Sequence, residues 1–136
     1  MKQLNKHWEI IYYHLRYEYE TNLSHQSIRI LQMIARENGL TIGQIAEALR
    51  LSPNTASEHV KRLIQKKLIM KERSKQDERI VVVTLTTAGL EVLTKHTLLD
   101  AEKLATLQSC FSEEEQQLIS SAFELLAKEA KHVFPR

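Results

Sequence analysis

The stretch Leu51-Ser52-Pro53-Asn54-Thr55-Ala56-Ser57-Glu58-His59-Val60-Lys61-Arg62-Leu63-Ile64 decides the fold. Ser52 offers a hydroxyl at a helix N-cap, and Pro53 fills the first helical position, where a missing N–H costs nothing. From there Ala56, Val60, Leu63, Ile64 and Lys67 fall on one side at helical spacing. The spacing predicts a helix to about Lys67 whose apolar members pack inward. The opposite face collects Asn54, Thr55, Glu58, Lys61, Arg62 and Gln65, with Ser57 on its flank. Such side chains can make base-edge and phosphate contacts at the surface of a helix. Glu58 repels phosphate, yet a carboxylate can accept a hydrogen bond from cytosine N4, or pair with Lys61 or Arg62 one turn on. Taken alone, this face serves equally well as an ordinary solvated surface.

Upstream, Thr41-Ile42-Gly43-Gln44 has the spacing of a capping box and opens a short helix to about Leu49. The tight turn from Leu49 to Ser52 joins it to the helix above, which makes a helix-turn-helix unit. A preceding helix starts near Ser24 and buries Ile28, Leu31, Ile34 and Ala35. It ends at Asn38-Gly39, where the glycine is expected to supply the left-handed cap. Before that, Leu4, Trp8, Ile11, Tyr12, Leu15 and Tyr19 recur every three or four residues, so a first amphipathic helix is expected from about Leu4 to Tyr19.

Downstream, Leu68 to Arg73 and Arg79 to Leu85 are strand-like, the second rich in β-branched residues, with polar Ser74 to Glu78 between them. The tip of this hairpin clusters Lys75 and Arg79, and a narrow minor groove attracts arginine. Two long helices close the chain, from about Thr86 to Leu107 and from Ser112, where Ser112 to Glu115 forms another capping box. The fold class is therefore α+β and mostly α, in one domain over residues 1–136.

Composition agrees. The chain has 136 residues, of which 43% are hydrophobic and 26% charged, with only 3 Gly and 2 Pro, which fits a folded, helix-rich protein. No apolar run approaches the roughly 20 residues that span a bilayer. Polar Asn5, His7, Glu9 and His14 interrupt any signal-peptide core, so a cytoplasmic protein without a membrane partner is expected. The net charge of +2 hides an asymmetry. Residues 52–79 carry eight basic side chains against four acidic ones, and residues 100–136 carry seven acidic against four basic. The helix and hairpin end suits a polyanion.

The pattern Asp77-x-Arg79, five residues, then Leu85-Thr86-x-x-Gly89 resembles the wing-to-helix signature of the MarR family of winged helix-turn-helix regulators. Thr41 to Ala46 and Leu51 to Leu63 are similar to that family as well, and its helix order matches over essentially the whole chain. The resemblance implies a winged helix-turn-helix over about 24–85, with dimerisation helices at about 1–20 and 86–136. It implies a homodimer that binds a palindromic double-stranded DNA operator, with repression the expected output. By position, Arg79 would be the wing arginine in the minor groove and Asp77 the carboxylate that orients it. The DNA-binding set is then Ser52, Asn54, Thr55, Ser57, Glu58, Lys61, Arg62, Lys75, Asp77 and Arg79. Leu85, Thr86 and Gly89 read as structural.

Many members of that family respond to a small lipophilic or phenolic effector held between the dimerisation helices and the DNA-binding lobe. Trp8, Tyr12, Tyr13, Tyr17 and Tyr19 concentrate aromatics in the first helix. Tyr12 and Tyr13 are candidate effector contacts, with core or dimer packing as the competing use. Cys110, the only cysteine, lacks a basic cluster beside it and reads as a bystander. The six histidines are scattered, and no metal or cofactor is expected. No phosphate loop, nucleophile elbow or metal-ligand cluster points to an enzyme. The alternative to a DNA-binding regulator is a winged helix used to bind another protein.

Overall fold

The computed structural model describes residues 1–18 and 22–136. Its elements run α1 (Leu4–Leu15), α2 (His25–Glu37), α3 (Ile42–Leu49), α4 (Pro53–Gln65), β1 (Ile69–Arg73), β2 (Val81–Leu85), α5 (Thr87–Thr97), α6 (Ala101–Gln108) and α7 (Glu113–Val133). The first helix is shorter than its periodicity predicts, and Tyr19 lies outside the described residues. The chain forms two compact units, one of residues 16–98 and one of residues 1–15 with 99–136.

In the larger unit the helix starts are set by local chemistry. Thr41 Oγ1 accepts from the Gln44 N–H at 3.1 Å, and Gln44 Oε1 accepts from the Thr41 N–H at 2.9 Å, a complete capping box. Ser52 Oγ accepts from the Thr55 N–H at 3.1 Å, with Pro53 opening α4. Between α3 and α4, Arg50 turns the chain in the left-handed region at φ 54°. At the end of α2 it is Asn38, at φ 53°, that forms the left-handed cap, with Gly39 beyond it at φ 115°. The sequence pattern predicts Gly39 for that cap. Asparagine tolerates the conformation, and the glycine is needed one residue later, at a positive φ where a Cβ would also stand 3.2 Å from Thr84 Cγ2 and 3.4 Å from Val82 Cγ2 of β2.

The core joins α2, α3, α4, the hairpin and α5 through Ile30, Leu31, Ile34, Ile45, Val60, Leu63, Leu68, Ile69, Val83 and Leu93. Ile28 is half-buried and packs at the edge of this cluster, and Ala35 is exposed, whereas Ile30 is fully buried. The buried stripe of α2 is thus rotated from the expected one. β1 and β2 pair antiparallel with Ile69 opposite Leu85 and Arg73 opposite Val81. Leu40 adds a one-residue bridge to Val83, with N···O distances of 3.1 and 2.7 Å.

At the top of α4, Lys67 takes a left-handed φ of 61° and is exposed, so it closes the helix rather than extending its packed face. The main chain there meets the start of α5. Thr86 Oγ1 donates to the Lys67 carbonyl at 2.7 Å, and the Thr86 N–H donates to the Leu68 carbonyl at 3.1 Å. Thr86 also caps α5 by accepting from the Gly89 N–H at 3.0 Å.

The single helix expected from Thr86 to Leu107 is two helices. α5 ends at an extended Leu98, and Asp100 starts α6 by accepting from the Glu102 and Lys103 N–H groups. α5 packs on α2 and belongs with the winged unit, so the C-terminal segment that shares a unit with α1 begins at Leu99 rather than at residue 86. In that smaller unit the Asp100 N–H donates to the Leu15 carbonyl at 2.7 Å, and Trp8 lies 6.1 Å from Tyr12 and 6.4 Å from Phe123 between ring centroids. None of α1, α6 and α7 buries a residue fully.

Candidate nucleic-acid interface

The outward face of α4 follows from its inward one. Because Ala56, Val60 and Leu63 are buried, the residues between them are turned to solvent. Ser52, Asn54, Thr55, Ser57, Glu58, Lys61 and Arg62 are all exposed. Two of them are already committed to the helix start: the Ser52 hydroxyl donates to Thr55 Oγ1 at 2.8 Å while it caps the Thr55 N–H. The Thr55 hydroxyl keeps its own proton for another acceptor. Among the described residues Glu58, Lys61 and Arg62 form no ion pair within 4 Å, which suits them to outside partners.

The hairpin tip, residues 74–80, is organised by its own polar groups. The Ser74 N–H donates to the Ile80 carbonyl at 2.8 Å, and the Ile80 N–H donates to the Asp77 carbonyl at 3.0 Å. Asp77 Oδ1 accepts from the Arg79 N–H at 3.1 Å and from Arg79 Nε at 3.0 Å, and Asp77 Oδ2 accepts from Nη2 at 3.0 Å. This two-pronged pairing fixes the guanidinium plane. Its side-chain hydrogen bonds to Arg79, and then the backbone one, hold the Asp77 carboxyl below the usual carboxylate range, and the same contact raises the Arg79 guanidinium. Arg79 nevertheless remains 89% exposed, against 33% for Asp77. A cation oriented by a fixed partner and open to solvent is suited to insertion into a groove of negative potential. Lys75 is exposed on the same tip.

The sequence-predicted residues therefore fall into two groups of one compact unit, the α4 face and the hairpin tip. Tyr12 and Tyr13 belong to the other unit, on α1, Tyr12 half-buried beside Trp8 and Tyr13 68% exposed. One participant escaped the sequence reading. Arg73, the last residue of β1, donates from Nη1 to the Glu78 carbonyl at 3.1 Å. A side chain that binds a main-chain oxygen leaves no residue-type signal at its partner position. Among the described residues no three His, Cys, Asp or Glu side chains gather as a metal site, and no helix is long and apolar enough to cross a membrane.

Comparison with known proteins places this geometry. A sequence profile of the MarR family matches residues 23–81. The transcriptional regulator ZitR of Lactococcus lactis subsp. cremoris (strain MG1363) is 33% identical over 117 residues, 82% of this chain and 80% of that protein. The chain belongs to the MarR family. The organic hydroperoxide resistance transcriptional regulator of Bacillus subtilis (strain 168) is 30% identical over 106 residues, 77% of this chain and 71% of its own length. The solved structure of L. lactis ZitR in complex with DNA superposes with a TM-score of 0.52 at 28% identity, covering 94% of this chain and 95% of that one. S. aureus MepR bound to ethidium bromide gives 0.58 at 28% identity, over 81% and 80%. As a MarR-family protein this chain is a DNA-binding transcriptional regulator with a winged-helix fold, and it is not an enzyme.

Proposed function

We propose that this MarR-family regulator is a sequence-specific repressor that binds a palindromic operator as a homodimer. Each copy lays α4 in the major groove and its β1–β2 wing in the flanking minor groove, with half-sites about 34 Å apart. Asn54, Thr55, Ser57, Glu58, Lys61 and Arg62 face the bases and phosphates, Ser52 fixes the helix start, and Lys75 and Arg79 enter from the wing. The observation that carries this reading is Arg79, locked to Asp77 by two side-chain hydrogen bonds yet 89% exposed. An arginine held in place without being buried presents the remaining N–H donors of its guanidinium to an external anion.

A second copy is supported by the smaller unit. Trp8, Leu118, Phe123 and Leu125 are 44–70% exposed on α1 and α7, and a second copy would cover apolar side chains of this kind. Relatives differ in their small partners: ZitR is zinc-responsive, and MepR binds ethidium bromide. For this chain the effector we propose is a small lipophilic or phenolic molecule that contacts Tyr12 and Tyr13. It shifts operator affinity by favouring one dimer arrangement over another.

The test is a titration of duplex DNA with the parent and with Arg79→Ala at several salt concentrations, with and without a panel of phenols. The variant should bind more weakly, and its log–log salt dependence should flatten by up to about one unit per subunit. Parent-like binding by the variant would remove the wing from the interface. If affinity for DNA is insensitive to salt and to Arg79, the winged unit serves protein binding instead.

A further inference from the structure

The wing tip has seven residues between its strands, beyond the two to five that close most hairpins on their own. A tip of that length keeps one shape only if its peptide groups are tied down. Most of its hydrogen bonds are internal: Gln76 N–H to Ser74 Oγ at 3.3 Å, Ile80 N–H to the Asp77 carbonyl at 3.0 Å, and the Asp77–Arg79 set. Internal bonds fix the residues of the tip relative to one another. They leave the tip free to tilt on its strands, and Arg79 would tilt with it.

The Ser74 N–H to Ile80 carbonyl bond closes the base of the tip but joins two of its own residues. The side-chain contact that opposes the tilt from a strand is Arg73, which sits opposite Val81 in the register and donates 3.1 Å to the Glu78 carbonyl. The acceptor matters because the Glu78 carbonyl and the Arg79 N–H belong to one planar peptide unit. The N–H side of that plane is held by Asp77 Oδ1 at 3.1 Å. A single peptide plane, the one that aims the Arg79 side chain, is thus gripped from both edges. One grip comes from within the tip and the other from a strand.

We propose that Arg73 is a positioning residue of the DNA-binding wing: it ties the Glu78–Arg79 peptide to β1 and so presents Arg79 in a set direction before DNA arrives. The order imposed in the free protein need not be imposed on binding, which favours the complex. Asp77 orients the guanidinium within the tip; Arg73 orients the tip on the sheet. The proposal rests on the reading of Arg79 as a wing contact to DNA.

The experiment uses the full chain and two readouts. The first is the ¹⁵N heteronuclear NOE of the Gln76–Arg79 amides in the free protein, compared between the parent and Arg73→Met, which keeps an extended apolar stem and removes the donor. The expected result is a loss of order confined to those amides, with the α3 and α4 amides unchanged. The second is affinity for a duplex that the parent selects from a randomised pool, measured for Arg73→Met, Arg79→Ala and the double variant. Arg73→Met should weaken binding about two- to tenfold, the range to which one hydrogen bond of ordinary net worth converts. In the Arg79→Ala background the same change should cost less than about twofold, because a positioning residue has nothing left to position. Unchanged NOE values would overturn the proposal. So would full additivity, which would make Arg73 a phosphate contact in its own right. If Arg79→Ala binds like the parent, the minor-groove reading of the wing fails, and the NOE comparison alone decides whether Arg73 clamps the tip.

Discussion

Replacing Gly89 with alanine sets helix propensity against packing, and the two predict opposite signs. Gly89 is buried in the first turn of α5, and no positive φ requires a glycine there. By propensity alone, Gly→Ala at a compatible backbone stabilises by about 0.4–1 kcal/mol, chiefly by restricting the unfolded chain. A Cβ at this position, however, would stand 2.9 Å from the Leu68 carbonyl carbon and 3.3 Å from Leu68 Cα, and would collide with the carbonyl oxygen. The obstacle is main chain, and it is fastened: the Leu68 carbonyl accepts from the Thr86 N–H, and the neighbouring Lys67 carbonyl accepts from Thr86 Oγ1. Relief therefore requires α5 to move off the end of α4. Overpacking of this kind costs about 1–3 kcal/mol, and a weakened hydrogen bond adds about 1 kcal/mol. Packing should win, leaving a net destabilisation of about 1–3 kcal/mol. Urea unfolding at one fixed protein concentration reads it as a midpoint lowered by about 0.3–3 M for a slope of about 1–3 kcal/mol per molar. Gly43→Ala is the control, since its Cβ would meet only Thr41 Oγ1 at an ordinary 3.8 Å. That variant should match or exceed the parent. A Gly89→Ala midpoint at or above the parent's would refute the packing argument.

Leu125→Glu should turn the proposed homodimer into a monomer in sedimentation equilibrium, because a carboxylate placed in an apolar interface without a partner is costly. Leu125 is 62% exposed in the single chain, so the fold itself should tolerate the change, and an intact dimer would move the interface elsewhere. Asp77 supplies a pH prediction. Its carboxyl is lowered in the folded state, so the pair's contribution is complete above the ordinary aspartate value of about 3.9 and is lost as pH falls through the lowered one. A ¹³C titration of Asp77 should show a midpoint below about 3.9, with wing order constant between pH 8 and 5. A midpoint at or above the ordinary value would show that the Arg79 pairing does not persist in solution.

What the sequence made legible was the chemistry that acts within a few residues. The Thr41–Gln44 and Ser112–Glu115 capping boxes and the Ser52-Pro53 start are each complete within one turn, and the structure has all three. The exposed face of α4 followed from its buried one, by periodicity alone. The errors arose where distant groups decide. Leu98-Leu99 are good helix formers, and the break between α5 and α6 is announced only by Asp100, an N-cap residue without a glycine or proline beside it. In α2, the spacing admitted Ile28 and Ala35 as inward positions. Closure by the hairpin and α5 selects Ile30 instead. Leu40 joins Val83 through main-chain groups that no side chain advertises. Arg73 was hidden for the same reason.

In the proposed complex α4 and the wing of two copies read duplex DNA as a symmetric pair. Selection from a randomised duplex pool tests it most directly, run with the parent and with Arg79→Ala at two salt concentrations and read by sequencing. The expected result is enrichment of an inverted repeat with half-site centres about one helical turn apart, lost or blurred in the variant and weakened by salt. A parent protein that enriches no sequence, or a single asymmetric site indifferent to Arg79, would contradict it.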